Sequence, residues 1–267
     1  MKMIISYIMV LSMTMVLWSC DADIPEAPHV SEDSTYVRKI AIMGDSYSTF
    51  EGWSNRDVEG NPNEYFVYYP HEGNTDVTSV EKTWWYMLCQ KPGVELEVSN
   101  SFSGSVISNT HYMGRDVAGT ELSFMTRVGK NPNGVDYNGD PDIILILGGT
   151  NDCWAGVELG DYVYSNWTPD DLKSFRPAFS RLLVSLSHLY PNATMYSIIN
   201  GDGGFPELTK PYDRSIQKVC KHHGVTHITL RNIEMKDNHP TYAGMQAICE
   251  QVYSVLRGPT RTTSEEE

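Results

Sequence analysis

Four short polar clusters could together perform acyl transfer. Gly44-Asp45-Ser46 closes an apolar run, Asn100-Ser101-Phe102-Ser103-Gly104 forms a small polar turn, Gly148-Gly149-Thr150-Asn151-Asp152 closes a second apolar run, and Asp237-Asn238-His239-Pro240 lies late in the chain. A hydroxyl is a weak nucleophile until a base takes its proton. Acyl transfer also needs hydrogen-bond donors aimed at the oxyanion that forms. Ser46 offers the hydroxyl and His239 the base. The N–H groups of Ser46 and Gly104 and the side-chain amide of Asn151 offer the donors. Alone, the two Gly-led clusters read as turns after strands and His239-Pro240 as a surface loop; their order and joint occurrence point to catalysis.

Such clusters meet only if the elements before them end at one edge. Val37–Met43 and Asp142–Leu147 read as strands, the second apolar throughout, as expected for a strand covered on both faces. Weaker strand patterns fall at Glu95–Ser99, Thr194–Ile199 and Val225–Leu230. Thr168-Pro169-Asp170-Asp171 predicts a helix start, and Leu172, Phe175, Phe179, Leu182, Leu183, Leu186 and Leu189 recur on one face behind it. Pro177 should break or kink that helix near its first turns. Further helices are predicted near Glu81, from about Leu208 to His223, where Gly224 stops it, and from about Tyr242 to Leu256. Alternating strands and helices imply a parallel sheet in a three-layer α/β/α sandwich, whose ligands bind beyond the carboxyl ends of the strands.

The order and spacing of the clusters resemble the SGNH hydrolase family, also called GDSL esterases. The resemblance covers most of the folded body and implies a flavodoxin-like parallel sheet. It implies Ser46 as nucleophile, Ser46, Gly104 and Asn151 as the oxyanion hole, and His239 as base, followed by Pro240 as is usual in the family. The family's acid sits three residues before the histidine, and here that residue is Lys236. Three readings stay open: Asp237, two residues before on an extended segment, Glu234, five before, or a backbone carbonyl that leaves a Ser–His dyad. No metal and no organic cofactor is implied. Because the base must be neutral, activity should fall below about pH 6.5.

Other motifs fail. There is no Gly-x-Ser-x-Gly elbow. A binuclear metallophosphatase would need a histidine where Tyr47 stands. Asp136-Tyr137-Asn138-Gly139-Asp140 begins like a calcium loop, but Pro141 and Leu147 occupy positions that need Gly and Glu. His222-His223 near a helix end reads as structural.

The 267 residues carry 20 basic and 34 acidic side chains, a net charge of -14. That argues against nucleic acid as a partner and against electrostatic docking on anionic lipid. Lys2 and the apolar stretch Met3–Trp18 have the layout of an export signal, too short for a membrane span. Leu17-Trp18-Ser19-Cys20 resembles the lipobox of bacterial lipoproteins, which implies cleavage before Cys20, lipidation of Cys20 and a membrane contact through that lipid alone, facing periplasm or cell surface. The chain therefore divides into a signal peptide over 1–19, a flexible tether over 20–35, a hydrolase domain over 36–257 and a disordered tail over 258–267. Cys89, Cys153, Cys220 and Cys249 remain, too few and too dispersed for a stapled scaffold or a zinc site, with a disulfide among them left open.

Two long loops are rich in aromatics: Phe50, Trp53, Tyr65, Phe66, Tyr68 and Tyr69 in one, Trp154, Tyr162, Tyr164 and Trp167 in the other. They read either as a sugar-binding cleft or as a small core over the sheet. The leading expectation is a serine esterase that removes acetyl or other short acyl groups from carbohydrate, its partner a small-molecule or glycan ester. A lipase or lysophospholipase with the same site and a non-catalytic glycan-binding envelope lipoprotein are the alternatives.

Overall fold

The apolar runs assemble into one parallel sheet. In this computed structural model residues 37–53, 67–71, 73–130, 136–137, 139–201 and 206–258 are described, without the side chains of 206–208. The signal, Cys20, the tether, Tyr65, Phe66 and the tail beyond residue 258 lie outside them. The strands are β1 (Arg38–Gly44), β2 (Val94–Ser101), β3 (Thr110–His111), β4 (Arg115–Asp116), β5 (Ile143–Leu147), β6 (Thr194–Ile199), β7 (Thr226–Thr229), β8 (Met235–Lys236) and β9 (His239–Pro240). The helices are α1 (Trp84–Cys89), α2 (Phe124–Arg127), α3 (Thr150–Trp154), α4 (Phe175–Leu189), α5 (Pro206–His223) and α6 (Tyr242–Arg257).

The central sheet runs in the order β2-β1-β5-β6-β7, all parallel. With the two small hairpins set aside this is the flavodoxin-like order, which reverses direction between β1 and β5. Side chains alternate across the strands and divide the core in two. Ile40, Ile42, Ile143, Leu145 and Leu147 pack with Trp84, Trp85 and Leu88 of α1 and Met245, Ile248, Val252 and Leu256 of α6. Ala41, Met43, Ile144 and Ile146 pack with Phe175, Phe179, Leu182, Leu183 and Leu186 of α4 and Val219 and Cys220 of α5. Helices on both faces of the sheet make the expected three layers.

Local chemistry sets where the helices begin. Thr168 and Asp171 bond reciprocally, the Thr168 N–H donating to Asp171 Oδ2 at 2.7 Å and the Asp171 N–H to Thr168 Oγ1 at 3.2 Å. They organise a single 3₁₀ turn at Asp171–Lys173; α4 starts afresh after Ser174. Pro177 then falls in the first turn of α4, where the missing N–H breaks no helical bond, so the expected break lies before the proline and not at it. The four described cysteines are free thiols, Cys89 half-buried and the others buried.

Candidate active site

At the switch between β1 and β5, the carboxyl ends of two adjacent strands deliver polar turns side by side. Gly44 pairs with Leu147 on one flank and Ser101 on the other. A Cβ on Gly44 would lie 2.6 Å from Ser48 Oγ and 2.9 Å from Ser101 Oγ, so only glycine lets the next turn fold this tightly. That turn is a 3₁₀ segment, Ser46–Ser48, capped by Asp45, whose Oδ1 accepts the Tyr47 N–H at 3.1 Å. Ser46 is thereby held at the head of the turn, 6% exposed.

His239 Nε2 lies 2.9 Å from Ser46 Oγ, across 193 positions of chain. Nδ1 of the same ring lies 3.0 Å from the backbone carbonyl of Asp237. A carbonyl can only accept, so Nδ1 carries the proton and Nε2 presents its lone pair to the Ser46 hydroxyl. This is the tautomer a general base needs. Burial pushes the His239 imidazole down to about 4; the Asp237 carbonyl opposes the shift, and the charge of His71 adds to it. The ring is therefore neutral far below the pH 6.5 expected from an ordinary histidine.

The third member of the site differs from the carboxylate reading. Asp237 and Asn238 do not continue an extended segment: both are left-handed, with φ of 49° and 61°. They form the two-residue tip of the hairpin that pairs Lys236 with His239. The shared-face argument for the Asp237 side chain therefore does not apply. The residue is exposed and presents its backbone carbonyl to the imidazole. Glu234 is also occupied elsewhere, its Oε1 accepting from Thr241 Oγ1 at 2.7 Å. Of the open readings the dyad with a backbone carbonyl fits the geometry.

The three expected oxyanion donors follow the carboxyl ends of the adjacent strands β1, β2 and β5. Gly104 sits at φ +76°, a left-handed position that favours glycine, in the turn after β2. Its carbonyl is held by His111 Nε2 at 2.9 Å. Among the described residues neither the Ser46 N–H nor the Gly104 N–H has a hydrogen-bond partner. Asn151, in the first turn of α3, spends one Nδ2 proton on the Ser105 carbonyl at 3.0 Å and keeps the other. Its neighbour Asp152 is fully buried and accepts the N–H groups of Ile107 and Ser108 at 2.8 and 2.9 Å, which ties the segment after Gly104 to α3. Burial raises the Asp152 carboxyl, and those two bonds oppose the rise.

Several residues not singled out by motif complete the site. Arg127, 4% exposed, donates to the Asn100 carbonyl at 2.6 Å, the Gly44 carbonyl at 3.2 Å and Ser105 Oγ at 3.0 Å, joining the ends of β1 and β2 to the glycine turn. Burial pulls its guanidinium down to about 9, opposed by Asp45. Asp45 itself is pushed up to about 7 by burial. Tyr47 and Tyr69 donate their hydroxyls to the carbonyls of Asn238 and Pro240, at 2.8 and 2.7 Å, on either side of His239. Tyr68 stacks on the imidazole. A Tyr-Tyr pair in a long loop is visible in sequence, but nothing in its spacing tells that it meets a histidine 170 positions away.

The aromatic loops divide. Phe50 and Tyr69 are buried, Trp53 is half-exposed against Trp85 and Tyr86, and Tyr68 reaches the site. Tyr162 packs under Arg176 and Lys218, Tyr164 stacks on His222, and Trp167 bonds the Val163 carbonyl, so these three brace α4 and α5. Cys153, next to the Asn-Asp pair, is buried with its thiol pushed up to about 11, unsuited to nucleophilic attack at neutral pH. Among the described residues no group of three or more His, Cys, Asp or Glu side chains is arranged to hold a metal, and no helix is long and apolar enough to cross a membrane.

Residues 38–256 match the model of the GDSL-like lipase/acylhydrolase family. The chain is 40% identical to a protein from Bacteroides ovatus ATCC 8483 whose crystal structure is assigned to the GDSL-like lipases, covering 81% of this chain and 96% of that one with a TM-score of 0.69. A second such structure, from Bacteroides uniformis ATCC 8492, is 41% identical over 81% of this chain and 94% of that one, with the same TM-score of 0.69. A family two carbohydrate esterase from Clostridium thermocellum in complex with cellohexaose shares the fold at 18% identity, over 82% of this chain and 64% of that one, with a TM-score of 0.54. No curated protein sequence matches the chain.

Proposed function

The chain belongs to the GDSL-like lipase/acylhydrolase family and is an SGNH-type ester hydrolase; from that premise we propose that Ser46 is its nucleophile, His239 its general base, and acetylated carbohydrate its substrate. The observation that carries the chemistry is the 2.9 Å contact between His239 Nε2 and Ser46 Oγ, with Nδ1 committed to a carbonyl.

The steps follow from these contacts. Nε2 takes the Ser46 proton as Oγ bonds to the ester carbon, and the carbonyl π pair moves onto oxygen. That oxyanion is met by the Ser46 and Gly104 N–H groups and the uncommitted Nδ2 proton of Asn151. When it collapses, the bond to the alcohol breaks and the leaving oxygen takes the proton from Nε2. The product alcohol departs, and Ser46 is left acylated. Water then repeats the sequence: Nε2 takes its proton, its oxygen attacks the acyl carbon, and Ser46 leaves with the proton returned. The carboxylic acid is the second product.

The carbohydrate assignment is supported by an open cavity of about 590 Å³ beside the stacked Tyr68, lined by Glu51, His71, Thr75 and Thr78. Hydroxyl, imidazole and carboxylate groups around an aromatic face suit a polyhydroxy ring better than an acyl chain. The sharing of the fold with a carbohydrate esterase is consistent with it. Rates on acetylated oligosaccharide, compared with acetyl, butyryl and octanoyl esters of one simple alcohol, test it. Acetyl esters, the glycan first, should turn over fastest. A preference for octanoyl esters would overturn the assignment in favour of a lipase, and glycan binding without turnover of any ester in favour of a binding protein. We further propose export and tethering of the chain through a lipid on Cys20; Cys20→Ala should then leave the membrane fraction, and retention there would refute the anchor.

A further inference from the structure

Among the described residues no carboxylate hydrogen-bonds to His239, yet its ring is enclosed on several sides. Tyr47 meets it edge-on, with centroids 5.3 Å apart and planes at 70°. Tyr69 does so at 6.3 Å and 78°. Through their hydroxyls these two fix the backbone around His239, and the Asp237 carbonyl fixes the tautomer. Both tyrosine rings lie steeply inclined to the imidazole, and the carbonyl lies at its Nδ1. Tyr68 differs: it lies flat on the imidazole, centroids 3.4 Å apart and planes within 3°.

The stack is built into the nucleophile's own turn. The Tyr68 N–H donates to Thr49 Oγ1 at 2.9 Å, and that hydroxyl donates to the Ser46 carbonyl at 2.9 Å. Tyr68 and Ser46 are thus two bonds apart through one buried threonine, the first on the face of the base and the second at its Nε2. The Tyr68 hydroxyl makes no hydrogen bond among the described residues, so the ring is not held there for its oxygen. An aromatic face carries the negative end of the ring quadrupole and attracts a cation stacked on it. A flat neighbour also restricts the imidazole's rotation about Cβ–Cγ, a torsion that is otherwise broad.

We propose that Tyr68 is a positioning residue, its ring face fixing the plane of the His239 imidazole toward Ser46 and stabilising the imidazolium formed when Ser46 gives up its proton. The inference rests on the Ser46–His239 reading above. The titratable groups that face the imidazole are Ser46, Tyr47, Tyr68 and Tyr69, with His71 packed against Tyr68 at 5.3 Å and Asp237 at the hairpin tip. Burial disfavours the charged ring, so a contact that favours the cation carries weight there.

The test compares Tyr68→Leu, which keeps an apolar cover but removes the π face, with Tyr68→Phe, which keeps the face and drops the hydroxyl. On an alkyl acetate, Tyr68→Leu should lower kcat about tenfold with KM little changed, and move the acid limb of kcat/KM down by about half a pH unit or more. Tyr68→Phe should restore most of kcat and the parental acid limb. Parental kcat and pH profile in Tyr68→Leu would overturn the proposal; so would equal damage in Tyr68→Phe. If Tyr68→Leu melts early, Tyr68→Met and Tyr68→Trp give the same contrast. Ser46→Ala in the same assay separates the two levels. If it keeps the parental rate, the Ser–His reading itself fails; if it is inactive while Tyr68→Leu is unaffected, only the role of Tyr68 fails.

Discussion

Replacing Asp237 by Asn distinguishes a carboxylate-driven triad from the arrangement seen here. Were the carboxylate the orienting group, Asp237→Asn would cost about 10,000-fold in kcat, the loss typical when a triad acid becomes an amide. In this structure the imidazole bonds the Asp237 backbone carbonyl at 3.0 Å, which Asn retains. Asn also tolerates the left-handed φ of 49° that the hairpin tip requires. What remains is the loss of one solvent-exposed negative charge near the forming imidazolium. Two unit charges about 4 Å apart in water attract by about 1 kcal/mol, so the loss should not exceed about fivefold in rate. Asp237→Ala should lose more, because alanine pays about 1–2 kcal/mol for the left-handed conformation, and Asp237→Gly should recover the difference. The assay is kcat/KM on an acetyl ester at pH 7, beside a thermal melt. A thousandfold loss in a natively melting Asp237→Asn would refute the reasoning and return the acid to the Asp237 side chain.

Further outcomes follow from the same geometry. With His239 held down to about 4 by burial, kcat/KM should stay level well below pH 6 and halve near pH 4; a limb at pH 6.5 that survives Asp45→Asn would contradict the burial argument. Asp45, pushed up to about 7, is placed to add a limb near neutrality, and Asp45→Asn should remove it. The two also act oppositely on stability. The unfolded chain protonates His239 near pH 6.5 and the fold only near 4, so that stability is lost as pH falls through this window; Asp45 holds its proton in the fold up to about 7, so its contribution is lost as pH rises from 3.8. Urea melts of His239→Gln and Asp45→Asn across pH 4 to 8 check both signs. Asn151→Ala should lower kcat about 100- to 1,000-fold with KM little affected, measured under saturating substrate. Arg127→Met removes the bonds donated to the carbonyls of Gly44 and Asn100 and to the Ser105 hydroxyl and should cost roughly 3 kcal/mol in a urea melt.

The strands were legible where their periodicity was undiluted. Asp142–Leu147 contains β5, because a run buried on both faces leaves little competing pattern, and the weaker pattern at Thr194–Ile199 coincides with β6. The serine and histidine were legible because each sits on a turn that ends or adjoins a strand, at the sheet edge where α/β folds bind ligands. The choice among Asp237, Glu234 and a backbone carbonyl stayed open in sequence for a local reason: the pair Asp237-Asn238 also suits a left-handed hairpin tip, which is what forms. Arg127 was invisible because a lone basic residue in a four-residue helix carries no motif; only the convergence of β1, β2 and the glycine turn buries it. Tyr162, Tyr164 and Trp167 read either as a cleft or as packing; their partners Arg176, His222 and Arg181 lie on α4 and α5, which no loop composition could disclose.

Covalent labelling tests the paired Ser46 and His239 most directly. A fluorophosphonate should add one phosphonyl group, located by peptide mass spectrometry on Ser46, with labelling abolished in Ser46→Ala and strongly slowed in His239→Ala. Equal labelling of Ser46→Ala, or a label carried by another serine, would contradict the account.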